Sequence, residues 1–275
     1  MLQSDRNTIA KLIYSRLREE EKGLKQLFQS TKDTIGYFYI DHLLPEPLVA
    51  DIYKSFPGAA QMVRKKTLKE YKHVSAQMDA FPEILEEVLY AFQETAVVDI
   101  ITKICGYSQV EPDAYLYAGG LSRMEKDNYL LPHLDNSHDK DRNRYRVLNL
   151  LYYVTPDWHR ENGGNLELWP KGLDNAQVTI DSKCNRLVVM ATHTSSWHSV
   201  SKVVADRGRC CISNYYFSAV PQEKQDKFHV TTFRARPGQT LANAWLQLDS
   251  SLRMLVRKVF AKGIRENPHV YKKNK

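Results

Sequence analysis

Along the first hundred residues, apolar positions recur mostly at helical intervals. Between residues 4 and 29, Ile9, Leu12, Ile13, Leu17, Leu24, Leu27 and Phe28 share a face, with Glu19, Glu20 and Glu21 among the polar positions. This spacing predicts an amphipathic helix, or a pair broken near Gly23. "YFYIDHLL" is aromatic and β-branched like a strand, and the prolines of "PEPLVADIYKSFP" bracket a short helix. "RKKTLKEYKH" (64–73) is too charged for a core and predicts a mobile surface loop. "FPEILEEVLYAFQETAVVDIITKICG" predicts a helical segment stopped at Gly106, as a glycine C-cap requires.

From about residue 111 the period shortens. "DAYLYAGGLSRM", "YRVLNLLYYV", "GGNLELWP", "AQVTID", "NRLVVMAT", "WHSVSKV" and "RCCISNYYFSAV" are short strand-like runs separated by turn residues. So many closely spaced strands predict a jelly roll or sandwich. "TLANAWLQLDSSLRMLVRKVFAKG" then returns to helix. The expected architecture is mainly β with flanking helices (α+β). Residues 1–110 form a helical support with one or more strands joining the core, 111–222 the β core, and 223–275 a C-terminal strand and helix extension. No repeat or low-complexity linker divides these parts, so one structural unit is expected.

The 275 residues, 43% hydrophobic and 11% aromatic, are enough to bury a sizeable core. No run reaches membrane-spanning length, and "MLQSDRNTIAKLIYSRL" mixes charges through its apolar positions unlike a signal peptide, so a cytoplasmic location is the default expectation. Cys105, Cys184, Cys210 and Cys211 show no C-x-x-C spacing and are expected as reduced thiols. The net charge of +7 reflects 39 basic against 32 acidic residues, part of the excess lying in "RKVFAKGIRENPHVYKKNK". That tail lacks the aromatic and glycine interleaving of a nucleic-acid module and reads as a solvated end, so neither a nucleic-acid nor a membrane partner is expected.

The candidate chemistry starts in "LLPHLDNSH" (130–138). On an extended chain His133 and Asp135 point the same way and offer an imidazole nitrogen and a carboxylate oxygen to one point. Such pairs are common as plain surface hydrogen bonds, so a third ligand is needed. His198 in "TSSWHSV" supplies it, making a 2-His-1-carboxylate set that leaves open positions on iron(II). Arg209, 11 residues further on, offers a guanidinium fork for the distal carboxylate of an acid chelating that metal. Arg207 shares its face but precedes Gly208, at the strand mouth. Cys211 and Ser213 share the Arg209 face, and Ser213 can give a hydroxyl to the cosubstrate. Tyr129 shares a face with His133 if the strand is regular, and is a further candidate donor. One of Tyr152 and Tyr153 must point inward. His138, Asp139 and Asp141 read as a solvated loop, His193 as a loop histidine disfavoured by parity, and Gly163–Gly164 as a turn rather than a phosphate cradle.

With "PHLD", "RVLNLLYYVTPDW", "GGNLELW", "NRLVVMATHTSSWHSV" and "RGRCCISNYYFS" in that order, the chain resembles the iron(II)- and 2-oxoglutarate-dependent dioxygenase superfamily, in particular its prolyl-4-hydroxylase-like branch. The resemblance runs from "YFYIDHLLPEPLVADIYKSFP" through "RCCISNYYFS". It implies a double-stranded β-helix (jelly roll) core, His133, Asp135 and His198 on Fe(II), Arg209 on the 2-oxoglutarate C5 carboxylate, O2 as co-reactant and ascorbate as a stimulant. Two departures stand out: prolyl hydroxylases tend to carry lysine where this chain has Arg209, and relatives with arginine often have serine where Cys211 stands. The implied activity is hydroxylation of an unactivated C–H bond of a free or peptide-bound amino-acid-like substrate, with succinate and CO2 as co-products. Asp135 argues against the halogenating members, which lack this carboxylate. The alternatives are a nucleic-acid demethylase of the same superfamily and a non-catalytic jelly-roll binding protein. Specificity is expected in loops 60–75 and 136–145, and the oligomeric state is open.

Overall fold

The computed structural model describes residues 5–117, 119–223, 226–260 and 269–272. Helix α1 (Arg6–Glu19) starts where the Asp5 carboxylate accepts the Thr8 amide at 3.0 Å and its hydroxyl at 2.8 Å, satisfying an otherwise orphaned first-turn donor. Helix α2 (Glu21–Ile35) follows after a break at Glu20, not Gly23, and takes in the "STKDTI" that the pattern left between elements. Its apolar residues Leu24 and Phe28 join Ile9, Ile13 and Leu17 of α1 in the main core. After strand β1 (Tyr37–Asp41) and helix α3 (Glu46–Lys54), the expected single helix over 81–106 is two: α4 (Glu83–Ala91) and α5 (Thr95–Cys105). Gly106 ends α5 at φ 71°, and its amide donates to Lys103.

The charged stretch at 64–73 is a correction to the sequence pattern. It is a hairpin, β2 (Val63–Lys66) and β3 (Glu70–Ser75), rather than a loop. β3 is also paired to β5 (Gly120–Met124) and β6 (Tyr129–Leu134), so its backbone is tied into the sheet on both sides. Lysines and glutamates are tolerated there because the side chains stand in a polar cavity instead of an apolar core.

The remaining strands are β4 (Val110–Pro112), β7 (Tyr145–Tyr153), β8 (Leu166–Leu168), β9 (Val178–Ile180), β10 (Arg186–Ala191), β11 (His198–Val200), β12 (Arg209–Ser218) and β13 (Thr232–Phe233). Every pairing is antiparallel, in the order β1-β10-β7-β12-β5-β3-β6-β11-β8-β9, with β2 on β3, β4 on β12 and β13 on β6. The sheet curls back on itself: Tyr153 of β7, Val188 and Met190 of β10 and Cys211 of β12 pack against Leu166 and Leu168 of β8 and Ile180 of β9, from the far end of the path. This is a jelly-roll core, as the strand pattern led us to expect. Side-chain alternation divides the strands cleanly. Leu148, Leu150 and Tyr152 of β7 join the main core with α1, α4 and α5, whereas Asn149, Leu151 and Tyr153 line the interior. Tyr153 is thus the inward member of the tyrosine pair, and the Tyr152 hydroxyl donates to Asn185 Oδ1 at 2.9 Å on the helical side.

Helix α6 (Thr240–Val259) closes one side of the barrel mouth. Part of the basic tail lies outside the described residues, but 269–272 is docked, not solvated. The Tyr271 amide donates to Tyr115, its hydroxyl to Glu86, and His269 Nε2 to the Gly119 carbonyl at 2.7 Å. Among the described residues no helix is long and apolar enough to cross a membrane.

Where β5 leaves the interior, Gly120 stands at φ +113°, and a β-carbon there would lie 2.2 Å from the Ser75 carbonyl oxygen of β3. Gly120→Ala is therefore expected to destabilise the fold by about 3 kcal/mol or more, combining backbone strain with displacement of a paired strand. Urea unfolding of the two proteins checks this, since an unchanged midpoint would mean that the β3–β5 approach is looser than described.

Candidate metal centre and its two cavities

His133 near the end of β6 and His198 at the start of β11 are direct cross-strand partners, their ring centroids 4.1 Å apart. The two rings are held in the same way. His133 Nδ1 is 3.0 Å from the Leu131 carbonyl and His198 Nδ1 is 2.9 Å from the Ser196 carbonyl, two residues back in each case. A carbonyl can only accept, so each Nδ1 carries a proton; in the neutral ring this leaves the lone pair on Nε2, the tautomer a metal ligand needs. Both Nε2 atoms face Asp135: His133 at 3.6 Å from Oδ1 and His198 at 3.7 Å from Oδ2. The three ligand atoms lie within 4.8 Å of one another, so His133, Asp135 and His198 could hold one metal ion.

The electrostatics keep Asp135 and His198 in ligand form. Burial alone would raise the Asp135 pKa, but the adjoining His133 and His198 imidazoles and the Arg146 guanidinium outweigh it and hold the carboxyl well below the usual range. Burial and the neighbouring His133 depress His198 to about 4, so it is neutral near pH 7. Behind β11, Ser199 donates to Glu167 at 2.6 Å and accepts from the Trp169 indole at 2.9 Å, while Arg236 donates to Glu167 at 2.7 Å. A strand of three residues is thereby anchored from its outer side.

An inner cavity of about 100 Å³ joins the two histidines and Asp135 to Arg209, Cys211, Ser213, Asn149 and Tyr153. Arg209 is 3% exposed, with its guanidinium carbon 5.2 Å from the Tyr153 ring centroid. Nη1 makes a long 3.4 Å contact to the Gly164 carbonyl, and Nε has no partner. Gly164, at φ +66°, matters here because a β-carbon would come within 3.2 Å of Arg209 Cδ. A buried guanidinium with an orphaned donor, across a small polar cavity from a candidate metal site, fits a chelating dicarboxylate. Arg207 is elsewhere, donating to the Asp157 carbonyl over the Trp158 ring.

Tyr129 is a correction. Its hydroxyl donates to the Thr67 carbonyl at 3.2 Å and it lines neither cavity. The β6–β11 register runs from His198↔His133 to Val200↔Leu130, three residues on β6 against two on β11. That bulge reverses the parity of β6, so Leu130, not Tyr129, shares the histidine's side. His193 stands apart, its Nδ1 3.0 Å from the Ser195 hydroxyl.

An outer cavity of about 560 Å³ opens beside the same ligands. Lys65, Glu70 and Lys72, in the segment 60–75 where specificity is expected from the sequence, line it from the hairpin, whereas sequence reasoning missed Arg146 from β7, Phe233 from β13, Arg253 from α6 and His269 from the docked tail. Phe233 stacks on His133 with ring centroids 5.2 Å apart. His138 is there too, buried at 6% exposure and stacked on Phe228, not in a solvated loop.

Residues 119–217, which carry both histidines, Asp135 and Arg209, match the model of the 2OG-Fe(II) oxygenase superfamily. No curated protein matches the chain. Among solved structures, a Phytophthora capsici prolyl 4-hydroxylase is similar at 18% identity and a TM-score of 0.54, over 91% of this chain and 80% of that one. A Pseudomonas putida prolyl-4-hydroxylase is similar at 18% identity and 0.51, over 71% and 98%. The α-ketoglutarate-dependent epimerase SnoN of nogalamycin biosynthesis is similar at 13% identity and 0.51, over 72% and 84%. These structural likenesses concern the fold.

The His138 environment has a measurable consequence. Burial lowers its pKa from 6.5 to about 4. The unfolded chain takes up a proton near the ordinary value while the folded protein refuses it, so folding stability falls as pH drops from about 6.5 to 4 and is regained as pH rises. Replacing His138 with glutamine should flatten that part of a plot of Tm against pH. An unaltered slope would place the acid sensitivity in other groups.

Proposed function

We propose, for a chain whose barrel belongs to the 2OG-Fe(II) oxygenase superfamily, that this dioxygenase hydroxylates an unactivated C–H bond of an amino-acid-like substrate, free or within a peptide. The observation that carries the reading is the shared inner cavity, with two imidazoles and a carboxylate converging at one end and an incompletely satisfied buried guanidinium at the other. Bound Fe(II) with 2-oxoglutarate supplies the oxidising chemistry, coupling O2 reduction to decarboxylation with succinate and CO2 as co-products.

The chain's own residues bind and orient. His133, Asp135 and His198 hold the metal through Nε2, a carboxylate oxygen and Nε2. Arg209 grips the distal carboxylate of the cosubstrate, with the Ser213 hydroxyl in the same cavity available as a further contact. Phe233, flat against His133, limits water around the ligand set on the side of the outer cavity. The substrate enters through that outer cavity, which reaches the same His133 and Asp135. The similarity to the P. putida and P. capsici prolyl 4-hydroxylases favours an amino-acid-like substrate over a nucleobase.

A mass-spectrometric screen of amino acids and peptides for gain of one oxygen, dependent on both iron(II) and 2-oxoglutarate, tests the reading. Asp135→Ala should abolish that gain, and wild-type turnover in this variant would overturn the ligand assignment. The cosubstrate clamp is separable by calorimetry. Arg209→Ala should weaken 2-oxoglutarate binding by about 2–3 kcal/mol, the scale of a lost charged hydrogen-bonded contact, while Arg207→Ala changes it little. Equal losses, or the reverse ranking, would show that the clamp is another cation.

A further inference from the structure

Among the described residues, seven side chains with formal charge face the outer cavity: five cations, Lys65, Lys72, Arg146, Arg253 and Arg257, against two carboxylates, Glu70 and Asp135. Two of the cations matter most. Arg146 is 3% exposed and clamped over the Tyr215 ring, 4.0 Å from its centroid. Nη1 is 3.8 Å from Asp135, too far for a hydrogen bond, Nη2 only just reaches the Tyr117 carbonyl at 3.5 Å, and Nε has no partner. Lys65 is the second. Lys72 has Glu70 at 2.9 Å, but Lys65 has no carboxylate within salt-bridge distance among the described residues. Burial and Lys72 press its pKa down, and the more distant Glu70 offsets this only in part.

Buried guanidinium groups are rarely left so poorly satisfied, because desolvation is offset only by good partners. We infer that the substrate carries an anionic group, a carboxylate or a phosphate, held in the outer cavity between Arg146 and Lys65. The inference rests on the oxygenase reading for the identity of the cavity as the substrate site, and goes beyond it in naming what is recognised. The volume of about 560 Å³ suits a small acid. Arg146 also lies beside Asp135, so the acidic group sits next to the metal ligands, and the C–H bond presented for oxidation is only a few bonds from it. A metal on Asp135 makes the field more positive still, so metal loading strengthens capture of the acid.

The test uses the full chain loaded with Mn(II) and 2-oxoglutarate, which binds without turnover, titrated calorimetrically with a panel of free L-amino acids, their carboxamides, and inorganic phosphate. Acids that bind while their amides do not identify a carboxylate, and phosphate binding alone identifies a phosphate. In either case Arg146→Gln and Lys65→Gln should each weaken the anion about tenfold or more, and Lys65→Gln, nearer the rim, serves if the buried variant fails to fold. Amides binding as tightly as acids, no anion binding at all, or wild-type affinity in a folded Lys65→Gln protein overturns the inference. Oxidation of an uncharged substrate would also overturn it while leaving the oxygenase reading intact. Anion binding without any 2-oxoglutarate-dependent oxidation of the bound acid does the opposite.

Discussion

The candidate metal centre depends on one cross-strand pair. His133 and His198 are 65 positions apart, and only the antiparallel register of β6 against β11 sets their rings 4.1 Å from each other. A slip of one residue would turn one ring to the opposite face and dissolve the site. β11 has three residues, too few to define register by its own ladder. Its position is held from outside by the chain running from Trp169 through Ser199 and Glu167 to Arg236, and from inside by Phe233 against His133. The polar residues behind the site are therefore part of the geometry of the site.

The second constraint is the placement of charge out of water. Asp135 gains its ligand form from two imidazoles and a guanidinium, against a burial effect that favours the protonated acid. Arg146 and Arg209 are buried guanidinium groups, and each is left with an unpartnered Nε. A fold can bear such groups only if the rest of it is well packed. The helices α1 to α5 and the outer faces of β1, β7, β10 and β12 form one continuous apolar core with no catalytic candidate in it. Stability is concentrated on one side of the sheet and unsatisfied polarity on the other.

That division also explains what the sequence made legible. The apolar periods of the helices and the alternation in β7 and β12 were readable because those segments face the core, where burial enforces a regular pattern. His133, Asp135, His198 and Arg209 were legible as a set because their residue types and spacing name a ligand arrangement, and Ser213 followed from strand parity. Tyr129 did not: a bulge between Leu130 and His133 changes the parity, and nothing local announces an extra residue in a strand. The break between α1 and α2 fell at Glu20 instead of Gly23, since helix interiors tolerate a glycine at modest cost; a β-carbon at Gly23 would meet nothing within 4 Å, so no close packing there calls for a glycine.

The rest of the outer cavity was illegible for a deeper reason. Its wall is assembled from a strand of lysine and glutamate, one turn of α6, and a docked tail, whose cavity-facing residues are mostly charged and carry no core pattern. Hydrophobic patterning finds the residues a protein hides from water to stay folded, whereas a recognition wall hides charged residues so that a ligand completes them. Strand β3 illustrates the point: His73 and Ser75 are buried on one face, while Glu70, Lys72 and Val74 on the other line the cavity. The same six residues serve the sheet on one face and the proposed recognition on the other, so the departure of their sequence from a strand pattern is itself the mark of what they do.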